Sequence, residues 1–102
     1  MSFIDLVEKI KAIQPLLPER TLTDPLASLT EECGELATEI LINVGKKNRS
    51  PGTDGIVGEA VDAILCLMDI ILLTNPNITR DELYSISMTK LQKWENNYTR
   101  KS

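Results

Sequence analysis

No histidine occurs in the 102 residues, and that absence removes several chemistries at once. Di-iron sites built on Glu-x-x-His pairs are excluded, as are nucleophile triads that rely on an imidazole base. Zinc is disfavoured too, because Cys33 and Cys66 are the only thiols and supply two soft ligands at most. Both cysteines read as small core residues. Met1 to Gln14 alternates in charge and lacks the apolar run of a secretory signal, so reduced thiols in a cytoplasmic protein are the expectation. The longest apolar run, Ile64 to Leu73, is broken by Asp69 and falls short of the roughly 20 residues that cross a bilayer. There is no excess of positive charge either: the formal net charge of -4 argues against a nucleic-acid polymer or an anionic membrane as partner. No internal repeat, low-complexity tract or alternating strand pattern appears.

What is present is helical periodicity. With 42% hydrophobic and 25% charged residues, the chain reads as one soluble all-α domain over residues 1–102, built from four helices. In the first, Phe3, Leu6, Val7, Ile10 and Ile13 recur at helical spacing behind Ser2 as N-cap, and Pro15 and Pro18 stop it. ERTLTD crosses a loop to Asp24-Pro25, an expected N-cap followed by proline at the first helical position. The second helix runs to about Val44, with an apolar stripe of Leu26, Leu29, Cys33, Leu36, Ala37, Ile40, Leu41 and Val44. Glu32, Glu35 and Glu39 form an acidic stripe beside it.

GKKNRSPGT, Gly45 to Thr53, reads as an exposed basic connection whose Lys46, Lys47 and Arg49 are free to reach phosphate. The third helix starts at about Asp54. It is apolar almost all round and needs cover on every side, more than three short helices can supply, so a second copy of the chain is expected over part of it, most simply as a two-fold dimer. TNPNI is a turn, and Thr79 with Glu82 has the spacing of a capping box for a fourth helix running to about Tyr98. That helix has an imperfect apolar face of Leu83, Tyr84, Ile86, Met88, Leu91, Trp94 and Tyr98. Trp94, the only tryptophan, reads as part of that core face. Lys93, Asn97 and Arg100 share another face.

Glu59 and Asp62 stand out because their helix carries so little other charge. Three residues apart, they share one face. Two carboxylates against apolar surroundings raise each other's pKa unless a cation holds both ionised. Glu32 and Glu35 repeat the spacing one helix earlier. Taken alone, that pair could be ordinary surface charge, but four carboxylates converging from two helices suit hard, oxygen-seeking Mg²⁺, with Mn²⁺ also able to fit.

Glu31-Glu32-Cys33-Gly34-Glu35, followed after 23 residues by Glu59-Ala60-Val61-Asp62, resembles the EExxE and ExxD signature of the MazG-like all-α nucleoside triphosphate pyrophosphohydrolases. Lys93, Asn97 and Arg100 are similar to a KxxxNxxR pattern in the last helix of several relatives, so the resemblance spans roughly Leu26 to Arg100. It implies a four-helix MazG-like bundle that completes its core by forming homodimers or dimer-of-dimers tetramers. The implied activity is Mg²⁺-dependent hydrolysis of a ribo- or deoxynucleoside triphosphate to the monophosphate and pyrophosphate, in nucleotide-pool housecleaning. Glu32, Glu35, Glu59 and Asp62 would be the metal ligands. Glu31 and Glu35 would be the candidates for general base, and Lys93, Asn97 and Arg100 for holding the triphosphate. The alternatives are a related pyrophosphohydrolase acting on phosphoribosyl-ATP or dUTP, and a non-catalytic metal-binding assembly module. Against the module stands the scarcity of basic residues on helices two and three to pair with clustered acids. Glu39 and Asp69 have no place in the signature.

Overall fold

Ser2 and Asp5 open the first helix by exchanging hydrogen bonds: the Asp5 N–H donates to Ser2 Oγ at 3.2 Å, and the Ser2 N–H donates to Asp5 Oδ2 at 2.8 Å. In the computed structural model, which describes residues 2–48 and 50–99, this capping box starts α1, Phe3–Ile13. Pro15 then allows a single 3-10 turn, Gln14–Leu16, before the chain extends. Three further helices follow, α2 Thr23–Asn43, α3 Gly55–Thr74 and α4 Arg80–Thr99. There is no strand among the described residues, so the all-α, four-helix expectation holds. No described helix is long and apolar enough to cross a membrane.

The helix ends follow their local chemistry with one exception. At the end of α2, Gly45 at φ 78° donates to the Ile42 carbonyl and Lys46 donates to that of Leu41. This is the Schellman arrangement that glycine permits. Thr79 Oγ1 accepts the Glu82 N–H at 3.1 Å while Glu82 reaches back to Thr79, as the capping-box spacing predicts. The exception is Asp24. The helix begins two residues earlier than Pro25, at Thr23, and Asp24 turns backward to accept the Thr21 N–H at 2.9 Å. Pro25 therefore sits within the first turn, where its missing N–H leaves no bond unmade.

α2 packs along α3, and α1 lies across α3 and the start of α4. The fully buried core is small: Val7, Met68, Leu72, Ile78 and Leu83, with Ile4, Ile10 and Ile71 against it. It gathers where α1, the C-terminal half of α3 and the first turn of α4 meet. Two polar ties flank it. Arg80 pairs with Asp5 at 3.1 Å on the surface. Beneath the first loop, Arg20 grips both oxygens of Asp69, and Gln14 Nε2 donates to Asp69 Oδ1 at 2.7 Å. Asp69, without a role in the sequence, is thus a structural anchor, and the base that pairs with it comes from the loop rather than from α2 or α3.

Much of the expected core is not covered. On α2, Leu26, Cys33, Ala37, Ile40, Leu41 and Val44 are exposed, so the apolar stripe read from the sequence lies largely outside the buried set. On α3, Val57 is 76% exposed, and Val61, Ile64, Leu65 and Leu67 are also exposed. On α4 only Leu83 is buried, and every described residue from Met88 to Thr99 is exposed, Trp94 included. The reason is reach: α4 packs against α1 and continues past it with no other described helix alongside. The radius of gyration is 16.5 Å, against roughly 13 Å for a compact chain of this length. Cys33 is exposed and Cys66 half-buried, so neither is the enclosed core thiol expected.

Candidate metal centre

α2 and α3 run side by side, and the expected convergence of four carboxylates is met by three: both acids of the α3 pair and Glu32 of the α2 pair turn to a common point, while Glu35 stays exposed. Glu32, Glu59 and Asp62, all half-buried, bring one carboxylate oxygen each within 4.8 Å of one another. No comparable group of three potential ligands occurs elsewhere among the described residues. Glu32 Oε2 and Glu59 Oε2 are buried and have no hydrogen-bond partner. A buried polar atom without a donor is unfavourable, and two of them on facing carboxylates more so.

The electrostatics follow. Burial, then the neighbouring carboxyls of Glu32 and Glu35, push Glu59 up to about 7. Glu32 is also raised, chiefly by burial, with Glu35 and Asp62 adding repulsion. Farther along the same helices the Cys66 thiol is pushed up by burial and by the charges of Glu32, Asp69 and Asp62, which disfavours its thiolate. With no cation at hand, Glu59 holds a proton near neutrality that a divalent ion would displace. Its donors are all oxygen, two of them lack any other partner, and nothing soft or nitrogenous competes; the residues fit Mg²⁺ or Mn²⁺.

The remaining sequence candidates divide. Glu35 is exposed but near enough to contribute to the upward shifts of Glu32 and Glu59. Glu31 lies one turn before it, also exposed. Both line an open cleft of about 700 Å³ with Glu59, Thr38 and Gly52. Lys93 and Asn97 sit on the exposed part of α4, on a separate surface shared with Thr89, Gln92 and Asn96 that no acidic residue lines. The chain therefore does not bring them to the carboxylates. Arg100 lies outside the described residues, as does Arg49 of the basic connection; Lys46 and Lys47 are exposed.

Glu39 is the residue whose part was not legible. It is 7% exposed and accepts the Gly52 N–H at 2.8 Å, closing the wall of the cleft. A Cβ on residue 52 would stand 2.7 Å from Glu39 Oε1, so glycine is what allows this approach. The only signal in the sequence was Glu39 continuing the acidic stripe towards a Pro-Gly turn.

No protein-family model matches the chain, and no curated protein or solved structure is detectably similar to it. A functional reading therefore rests on the carboxylate geometry and on the motif resemblance.

Proposed function

We propose that the chain is a Mg²⁺-dependent nucleoside triphosphate pyrophosphohydrolase of MazG-like type, cleaving between the α and β phosphates and working as a homo-oligomer. The observation that carries this reading is the pair of orphaned, buried oxygens on Glu32 and Glu59, converging with Asp62 from the second of two adjacent helices. Bound there, the ion supplies positive charge against the phosphates and makes an attacking water more acidic. Glu32, Glu59 and Asp62 hold it, with Glu35 at the mouth as the fourth acid. Glu31 and Glu35, both facing the open cleft, are the carboxylates available to accept the proton of the attacking water.

Room for the rest of a nucleotide lies along the same helices. Ser28 and Cys66 are each one helical turn from an acid of the cluster, Glu32 and Asp62. They border a concavity of about 340 Å³ with apolar walls from Ile10, Leu17 and Leu65. One turn advances about 5.4 Å, a span comparable to that from an α-phosphate to its base. Lys46 and Lys47 are exposed on the connection between α2 and α3 and are the cations available for a phosphate tail, since Lys93 and Asn97 stand apart in a single chain.

The stranding of Lys93 and Asn97 favours one second reading: a metal-binding module without turnover. Both are tested by measuring pyrophosphate and monophosphate release from a panel of ribo- and deoxynucleoside triphosphates with Mg²⁺, together with phosphoribosyl-ATP, for the native chain and Glu59→Gln. Release that falls by more than about 100-fold in the variant supports the hydrolase, since indirect effects on a metal site run to about 10–100-fold. Tight Mg²⁺ or Mn²⁺ binding with no release from any substrate would replace it with the module.

A further inference from the structure

The uncovered surface of α4 has a regular pattern. Tyr84, Leu91 and Tyr98 are seven residues apart, with Ser87 and Trp94 between them, so these five occupy the a and d positions of just over two heptads. Met88 extends the strip on one flank. Leu83, the buried residue of the helix, lies at the flanking g position of the first turn and ties that turn to the core. Trp94 and Tyr98 are 61% and 66% exposed, and their rings already meet edge to face with centroids 5.8 Å apart. Beyond the first turns no other described helix lies alongside this strip. Side chains of this size, exposed to this degree, leave on the order of 600 Å² per copy uncovered. Doubled, that reaches the lower end of what stable protein pairs bury, about 1,200 Å².

We propose that α4 is an assembly helix that pairs in parallel with α4 of a second copy, burying Leu91, Trp94 and Tyr98 against their counterparts. The flanking charges select the partner and the direction. Lys90 precedes Leu91 at a g position, and Glu95 follows it at an e position. In a parallel pair the g residue of one helix lies beside the e residue five places later in the other, so each Lys90 meets the second copy's Glu95, twice by symmetry. An antiparallel pair would set g against g and e against e, leaving both charges without an opposite. Lys93, at a c position, stays open to solvent in this arrangement, while Asn97 flanks the seam at a g position as Lys90 does. The surface is separate from the acidic cluster, so it stands or fails independently of the hydrolase reading.

Light scattering and sedimentation on the full chain, from micromolar to submillimolar concentration, test the proposal. Trp94→Asp is expected to weaken the dimer at least about 10-fold, as loss of a central aromatic does, with helical circular dichroism unchanged because Trp94 is exposed in the single chain. Lys90→Glu is expected to weaken it as well, and adding Glu95→Lys to restore it. Ser87→Cys, in a Cys33→Ser background, is expected to form a covalent dimer on mild oxidation, since parallel register brings residue 87 to its own copy whereas an antiparallel pair of the same strip would set it against residue 95. A native chain that stays monomeric overturns the proposal. So does a dimer indifferent to Trp94→Asp, which would assign association to the exposed faces of α2 and α3, or a dimer that Ser87→Cys fails to cross-link.

Discussion

Glu39 on α2 accepts the backbone N–H of Gly52 at 2.8 Å, so a single buried carboxylate joins the acidic helix to the connection that leads into α3. Through that contact the wall of the cleft depends on a residue outside the cluster of Glu32, Glu59 and Asp62. Glu39→Gln keeps an acceptor at the same reach, whereas Glu39→Ala leaves the Gly52 N–H unpaired. Chemical unfolding is expected to record a loss of roughly 1–3 kcal/mol for the alanine variant and distinctly less for glutamine. Equal losses in the two would show that the hydrogen bond is not what matters.

The small core makes stability sensitive to single residues. Leu72 is fully buried at the junction of α1, α3 and the start of α4. Leu72→Ala is expected to destabilise by about 2–5 kcal/mol, a large fraction of what a domain of this size holds in reserve. Val57→Ala, at a position with three-quarters of its surface exposed, should change stability by less than about 0.5 kcal/mol in the monomer. Thermal or urea melts of the two variants make the comparison directly.

Glu59 gives the metal-free chain a pH dependence of known sign. Its folded pKa is pushed up to about 7 from the 4.5 of an ordinary glutamate, by burial and then by Glu32 and Glu35. The folded state therefore holds this proton more tightly than the unfolded chain. The stabilisation is fully present below about pH 4.5 and is lost as pH rises through about 7. Melting temperatures without divalent ions should fall across that window, and Glu59→Gln should flatten the fall. Saturating Mg²⁺ should raise stability most at the alkaline end, where the carboxylates are already free of protons. A melting profile that is level from pH 5 to 8 in the native chain would contradict this.

Asp69 acts in the opposite direction. Burial would raise its pKa, but hydrogen bonds from Arg20 and Gln14 outweigh that and hold it below 3.8. A carboxylate depressed on folding contributes stability above its unfolded pKa, and the contribution is lost as the solution is acidified through the lower folded value. Arg20→Ala leaves the carboxylate half-buried with only Gln14 beside it. The expected loss at neutral pH is roughly 1–3 kcal/mol, and Arg20→Ala with Asp69→Ala together should recover part of it. An acid titration of stability in the double variant would lack the Asp69 component.

The helices themselves were legible because their signals are local. Ser2 with Asp5, Thr79 with Glu82, and Gly45 with its neighbours are caps whose chemistry is complete within a few residues, and their boundaries came out within a residue or two. Asp24 misled because a carboxylate before proline has two acceptable donors, and the backbone of Thr21 captured it. The convergence of Glu32, Glu59 and Asp62 was legible for a related reason: i, i+3 acids on apolar helices have few places to go except towards each other.

Burial was not legible in the same way. Periodicity marks a face as apolar without saying what covers it, and in this chain Leu26, Ile40, Val61 and Trp94 carry the mark and remain exposed. The sequence by itself determined four helices, their caps and the acidic pairs, because those follow from bonds and spacings within each helix. The tertiary structure alone decided that Asp69 answers to Arg20, that Glu39 closes the cleft wall, and that α4 carries Lys93 and Asn97 away from the carboxylates. Each of these depends on how separate elements are oriented, and for α1, α3 and the start of α4 that orientation is set by the few side chains that meet at Met68 and Leu72.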